Sequence, residues 1–89
     1  MVQNKKHYFY VLHCKDNTYY AGYTTDLKRR LEEHNSGNGA KYTRLSKRRP
    51  TLMIHHEVFE TRSEAMKAEY AFKQLTRNQK DNYLAKKRV

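Results

Sequence analysis

The stretch Tyr8 to Cys14 is rich in Tyr, Phe, Val and Leu, and Thr18 to Thr24 repeats that β-favouring chemistry after the polar break Lys15-Asp16-Asn17. The pattern predicts a β-hairpin. Thr25 or Asp26 then offers an N-cap, and Leu27, Arg30, Leu31 and His34 follow at i, i+3, i+4, i+7 spacing before Asn35, Ser36, Gly37 and Gly39 end the period. This predicts a helix of about two to three turns. From Gly39 to Pro50 no period is visible, and Lys41, Arg44, Lys47, Arg48 and Arg49 stand there with no acid between Glu33 and Glu57. A basic loop with room for a short helical turn is expected. Thr51 to Phe59 returns to strand character through Leu52, Ile54, Val58 and Phe59. Thr61 with Glu64 and Thr76 with Gln79 match the capping box, which predicts helices over about 62–75 and 77–87. The order β-β-α-β-α-α suits an α+β fold, a three-stranded, mainly antiparallel sheet flanked by helices. Residues 1–89 are expected to form a single domain.

Composition sharpens the picture of the core and of the partner. Apolar residues make up 37% of the chain, so the core is thin and leans on eight Tyr and three Phe, rings that mostly carry a hydroxyl. The net charge of +10 on 89 residues points to a polyanion, nucleic acid first and an anionic membrane surface second. The longest apolar run, Tyr8 to Leu12, is far short of the roughly 20 residues that span a bilayer, and Lys5-Lys6 is not followed by the apolar core of a secretory signal. The single Cys14 has no internal partner, which makes a reducing cytoplasm the expected location.

Three polar residues stand where the pattern asks for apolar ones. Glu69 falls on the helical stripe Ala65, Ala68, Phe72 and Leu75. A carboxylate there is normally paired, hydrogen-bonded or metal-bound, unless it sits at the stripe edge and tilts into solvent. Arg30 and His34, one turn apart beside Leu27 and Leu31, can point at the same object. The plainer accounts are a solvated Lys28-Arg29-Arg30 run and a helix C-terminal cation favoured by the macrodipole. Of the hairpin residues Tyr8, Tyr10, Tyr19, Tyr20 and Tyr23, at least two are expected to serve through their hydroxyls. The five histidines and one cysteine show no zinc-binding spacing. His55 and His56 are expected to place one ring on each face of a strand, Cys14 to be a small buried side chain, and Gly37-Asn38-Gly39 to stop the first helix.

The ordered set Tyr8-Phe9-Tyr10, Tyr20-Ala21-Gly22 with Thr24, Arg30, His34 and a helical Glu69 resembles the GIY-YIG endonuclease superfamily over nearly the whole chain. It looks most like small standalone bacterial members, marked by the Leu27-x-x-Arg30-Leu31-x-x-His34-Asn35 run and a Lys41-Tyr42-Thr43 segment. The resemblance implies phosphodiester hydrolysis with one divalent metal. Glu69 is expected to hold Mg²⁺ or Mn²⁺, Tyr10 or Tyr20 to take the proton of the attacking water, Arg30 to stabilise the pentavalent phosphate bidentately, and His34 to orient a tyrosine hydroxyl or aid proton transfer. Gly22 is expected to let backbone approach the site closely, with Thr24 behind it. Asn78 and Asn82 are the candidates for the asparagine many family nucleases carry after the Glu helix. Lys41, Arg44, Lys47, Arg48 and Arg49, with Lys86, Lys87 and Arg88, are expected to contact backbone phosphates, of DNA rather than RNA. Family nucleases usually join this domain to a DNA-targeting module, so a separate protein partner is expected to supply targeting. The alternative is a nucleic-acid-binding module, for DNA or RNA, that does not turn over. Glu69 separates the two, because a binding module gains nothing from a carboxylate facing a phosphate.

Overall fold

A computed structural model describes residues 5–87. Strands β1 (His7–His13) and β2 (Tyr19–Thr24) form the hairpin, pairing antiparallel from Tyr8 opposite Thr24 to His13 opposite Tyr19. Its turn closes where Asp16 accepts hydrogen bonds from the Thr18 backbone N–H and hydroxyl, while Asn17 takes the left-handed conformation that asparagine tolerates. Strand β3 (Leu52–Phe59) pairs antiparallel with the other edge of β1, so the order is β2-β1-β3 and every pairing is antiparallel. Val11 stands opposite His55 but Leu12 opposite Met53. The extra residue, Ile54, forms a bulge and packs into the core.

Helix α1 (Leu27–Ser36) is capped by Asp26 rather than Thr25, its carboxylate accepting from the Arg29 N–H at 3.0 Å, and ends at Gly37 with φ of 85°. Helix α2 (Arg62–Lys73) opens on the Thr61–Glu64 box, the Glu64 N–H donating to the Thr61 hydroxyl at 3.1 Å. Helix α3 (Arg77–Lys87) opens on Thr76 and Gln79, each backbone N–H donating to the other's side chain. That second box takes over immediately after α2. Leu75 therefore lies beyond the helix that the period assigned to it, yet still packs on the core. The basic loop folds into two short 3₁₀ turns, Tyr42–Arg44 and Ser46–Arg48.

The two faces of the sheet have different tasks. Phe9, Val11 and Ala21 meet Phe72 of α2 and Leu84 of α3, with the Phe9 and Phe72 ring centroids 5.5 Å apart. Alternation sends Tyr10, Tyr20, Gly22 and Thr24 to the opposite face, under α1 and the first 3₁₀ turn. His55 packs with Phe9 and Tyr83 on the side of α2 and α3 and His56 with Tyr8 on the side of α1, one ring per face as expected. Cys14 is buried, and burial pushes its thiol up, the behaviour of a small core residue. Among the described residues no helix is long and apolar enough to cross a membrane.

Candidate active site

Tyr10 lies at the centre of the central strand, fully buried, with its hydroxyl laid over the backbone of β2. Gly22 stands directly opposite, and a Cβ there would sit 2.5 Å from Tyr10 Cζ. Only glycine admits the phenol. The Tyr10 hydroxyl is 2.7 Å from His34 Nε2, and Arg30 Nε donates to it over 3.4 Å. His34 Nδ1 is in turn 2.7 Å from the hydroxyl of Thr43. Arg30 and His34 thus do converge from one face of α1 on a single object, the Tyr10 hydroxyl.

The electrostatics follow from that burial. His34 is held neutral, its value lowered from 6.5 to about 4 by burial and then by the Arg30 charge. This overturns the account of His34 as a helix-terminal cation: the macrodipole cannot repay removing an imidazolium from water. Burial likewise pushes Tyr10 up to about 12 against the opposing hydrogen bond from Arg30, with the charge of Glu69 acting in the same direction as burial. Tyr10 is therefore a neutral phenol in this state of the site. Arg30 also donates from Nη1 to Glu33 at 2.9 Å, which leaves Nη2 without a partner among the described residues.

A folded value below the ordinary one means that the unfolded chain binds a proton to His34 first. Stability from this group is complete above pH 6.5 and is lost as pH falls towards 4, about 3 kcal/mol across the window. Melts between pH 6.5 and 4.5, where the glutamates that begin to titrate are common to both proteins, should show a steeper decline in the parent than in His34→Gln. Equal slopes would assign the decline to other groups.

Tyr20 is half-buried, with its ring centroid 6.5 Å from that of Tyr10 and 5.1 Å from that of His34. Its hydroxyl hydrogen-bonds to no other described residue, in contrast to those of Tyr10, Tyr19 and Tyr23. Its outer face stacks on Tyr42 from the basic loop, centroids 5.7 Å apart, and the Arg48 guanidinium lies 3.7 Å over Tyr42. Arg48 is itself anchored on Asp16 at 3.1 Å. Lying in a stretch without period, Tyr42 and Thr43 had no predicted task, although both stand in the segment that marks the small bacterial members. Thr24 and Asn35 frame the site. The Thr24 hydroxyl accepts the Asp26 N–H at 3.1 Å and so fixes the start of α1. Asn35 accepts from the Thr51 N–H and hydroxyl and donates to its carbonyl, clamping the end of α1 to the chain entering β3.

Glu69 projects from α2, its side chain 14% exposed, and Lys73 one turn on pairs with it at 2.8 Å. Its cation is therefore Lys73, while the carboxylate on Arg30 is Glu33. Among the described residues no group of three His, Cys, Asp or Glu side chains is placed to hold a metal ion. One carboxylate whose charge reaches the Tyr10 hydroxyl fits a hard cation that completes its shell with water and phosphate oxygens, and does not fit a thiolate or histidine centre. Asn78 and Asn82 lie exposed on α3 and make no hydrogen bond to these residues. Of the basic residues, Lys41, Arg44 and Lys47 in the loop and Lys86 and Lys87 on α3 are exposed, and Arg88 lies outside the described residues. Arg48 and Arg49 are half-buried and occupied, Arg49 donating to the Arg44 carbonyl beside Gly37.

A three-stranded sheet that sets two tyrosines against an arginine and a histidine of one helix, with a carboxylate on the next, defines a nuclease-type domain. Residues 6–82 match the family model described as the GIY-YIG catalytic domain, and the chain belongs to that family. Among its relatives, the UPF0213 protein of Enterococcus faecalis is 69% identical over 84 residues, covering 94% of this chain and 96% of the relative. The UPF0213 protein YazA of Bacillus subtilis is 53% identical over 87 residues, covering 98% and 86%. The solution NMR structure of an E. faecalis protein superposes with a TM-score of 0.63 at 67% identity, covering 97% of this chain and 90% of that one. That of a UPF0213 protein from Bacillus halodurans gives 0.61 at 43%, covering 92% and 85%. These are small proteins of about one domain, and their names specify no substrate.

Proposed function

We propose that this protein is a divalent-metal-dependent endonuclease that hydrolyses phosphodiester bonds in DNA. The observation that carries the reading is the pairing of a buried, fully hydrogen-bonded Tyr10–His34 couple with two groups beside it that are unengaged, the Tyr20 hydroxyl and Nη2 of Arg30. Free tyrosine titrates near 10, so a tyrosine base needs a nearby cation to work at neutral pH. Tyr20 takes the proton from the attacking water, because its hydroxyl is the one not already committed. Tyr10, held protonated, positions Arg30 and His34 rather than accepting that proton. Arg30 meets the charge that develops on the pentavalent phosphate. Glu69 would hold Mg²⁺ or Mn²⁺, which supplies polarisation of the phosphate and charge neutralisation when bound. Lys73 occupies the same carboxylate and must be displaced.

A second reading draws on that ion pair. With Lys73 at 2.8 Å, Glu69 is already neutralised and need not repel a phosphate, so a binding module could tolerate it. Cleavage assays on branched, nicked, duplex and single-stranded DNA and on RNA, with Mg²⁺, Mn²⁺ or EDTA, separate the two. Metal-dependent DNA cleavage is expected, with targeting sharpened by a protein partner. Binding without turnover on every substrate would establish the module, and preference for RNA would displace DNA as the partner. The cytoplasm is the compartment that suits this reading, since a lone thiol such as Cys14 stays reduced there.

Exposed cations should carry the electrostatic part of binding. Replacing Lys41, Arg44 and Lys47 together by Gln should weaken binding for all sequences alike and flatten the log–log salt dependence by about 0.9 for each duplex DNA phosphate no longer neutralised. An unchanged slope would place the footprint elsewhere. Arg48→Gln should instead loosen the loop, since that side chain is spent on Asp16 and Tyr42.

A further inference from the structure

We infer that Thr43 is a positioning residue that fixes His34 as the Nδ1–H tautomer, holding Nε2 as the acceptor for the Tyr10 hydroxyl. The catalytic consequence rests on the nuclease reading; the tautomer does not.

Counting protons fixes the direction of each bond. Thr43 is fully buried and its hydroxyl has two neighbours, His34 Nδ1 at 2.7 Å and the Ala40 carbonyl at 3.1 Å. A carbonyl oxygen only accepts, so the arrangement that makes both contacts hydrogen bonds directs the single hydroxyl proton to Ala40, whose carbonyl also takes the Thr43 backbone N–H at 3.1 Å. The Thr43 oxygen must then accept from His34, which places the imidazole proton on Nδ1. A neutral imidazole has no second proton, so Nε2 is bare and the Tyr10 hydroxyl, 2.7 Å away, donates to it. The Tyr10 lone pairs are left to accept from Arg30 Nε. Every proton from Arg30 through Tyr10, His34 and Thr43 to Ala40 has one direction. The opposite tautomer sets two donors, Arg30 Nε and His34 Nε2, on the Tyr10 oxygen and leaves the buried phenol proton with no acceptor among the described residues, whereas the Ala40 carbonyl keeps the Thr43 backbone N–H in either case.

The loop is built to bring that hydroxyl in. Its chain passes so near the histidine that a Cβ at Gly39 would lie 2.7 Å from His34 Nδ1 and 2.9 Å from its Cα. The same 3₁₀ turn lays Tyr42 on Tyr20, so the segment between the two glycine-rich and basic stretches forms the second wall of the site. The basic loop therefore has a task separate from phosphate contact. Without the Thr43 hydroxyl, Nδ1 loses its acceptor, the imidazole proton moves to Nε2, and the Tyr10 hydroxyl turns away from His34 and towards Arg30, against a donor.

Two-bond ¹H–¹⁵N spectra of histidine-labelled protein at pH 7, with His34 assigned by its absence in His34→Gln, read the tautomer directly. The parent and Thr43→Ser should show Nδ1 protonated and Nε2 bare. Thr43→Val should move the proton to Nε2 in whole or part and lower the cleavage rate about 10- to 100-fold, the size of effect seen when a metal-binding histidine loses its outer hydrogen-bond partner, with KM little changed. Thr43→Ser should restore both. Protonation at Nε2 in the parent overturns the inference before any variant is made, and so does a folded Thr43→Val with the parental tautomer. Should the parent cut no nucleic acid, the nuclease reading fails while the tautomer still decides the role of Thr43.

Discussion

Tyr20→Phe should abolish cleavage and leave the melting temperature almost unchanged, whereas Tyr10→Phe should lower both. The difference lies in what each hydroxyl touches. That of Tyr10 donates to His34 Nε2 and accepts from Arg30 Nε in a fully buried place. Its removal strands an acceptor and a donor, a loss of about 1–3 kcal/mol. The Tyr20 hydroxyl has no partner among the described residues, so its removal should cost less than about 0.5 kcal/mol. As the general base, however, it is worth about 10²–10⁴ in rate. Initial cleavage rates set beside thermal melts of the two variants separate the tyrosines. Parental cleavage by Tyr20→Phe would remove it as the base, and an inactive Tyr10→Phe of parental stability would transfer that role to Tyr10.

The sheet and helices were legible because each is written in a local code. Alternation and aromatic runs gave the strands, and reciprocal Thr–Glu and Thr–Gln boxes gave the starts of α2 and α3. The bulge at Ile54 was not legible, since nothing in Met53-Ile54-His55 distinguishes a slipped register from a regular one. Nor was the early end of α2, because the apolar period runs through Leu75 while the next cap at Thr76 stops the helix.

The site was legible to the extent that its residues violate those codes. His34 and Glu69 stood out as polar groups beside apolar stripes, and Gly22 proved to mark the close passage of Tyr10. What escaped was pairing between distant segments. No spacing connects Thr43 to His34 or Arg48 to Asp16, since those contacts depend on how a loop without period returns to the sheet. The same reason hides the partners of the two charges. Arg30 meets Glu33 and Glu69 meets Lys73, each within its own helix, rather than each other. The basic loop read as five equivalent cations, but folding commits Arg48 to Asp16 in the hairpin turn and Arg49 to the Arg44 carbonyl, and leaves three for a ligand.

Those partners decide what Glu69→Gln should do. A buried carboxylate paired with Arg30 would, on losing its charge, strand a cation and cost several kcal/mol. Lys73 is instead 48% exposed and can turn to water, so an i,i+4 pair of this kind is worth at most about 0.5–1 kcal/mol. The melt should therefore barely move. If Glu69 holds the metal as proposed, metal-dependent cleavage should disappear, because an amide is a poor substitute for a carboxylate on a hard cation. Nucleic-acid binding should hold or strengthen as a negative charge facing the phosphate is removed. Lys73→Ala acts on the other side of the same balance: with its competitor gone, Glu69 should bind Mn²⁺ more tightly, a gain readable by calorimetry. Unaltered manganese binding in both variants, together with a marked loss of stability in Glu69→Gln, would make Glu69 a structural residue and leave the chain a binding module.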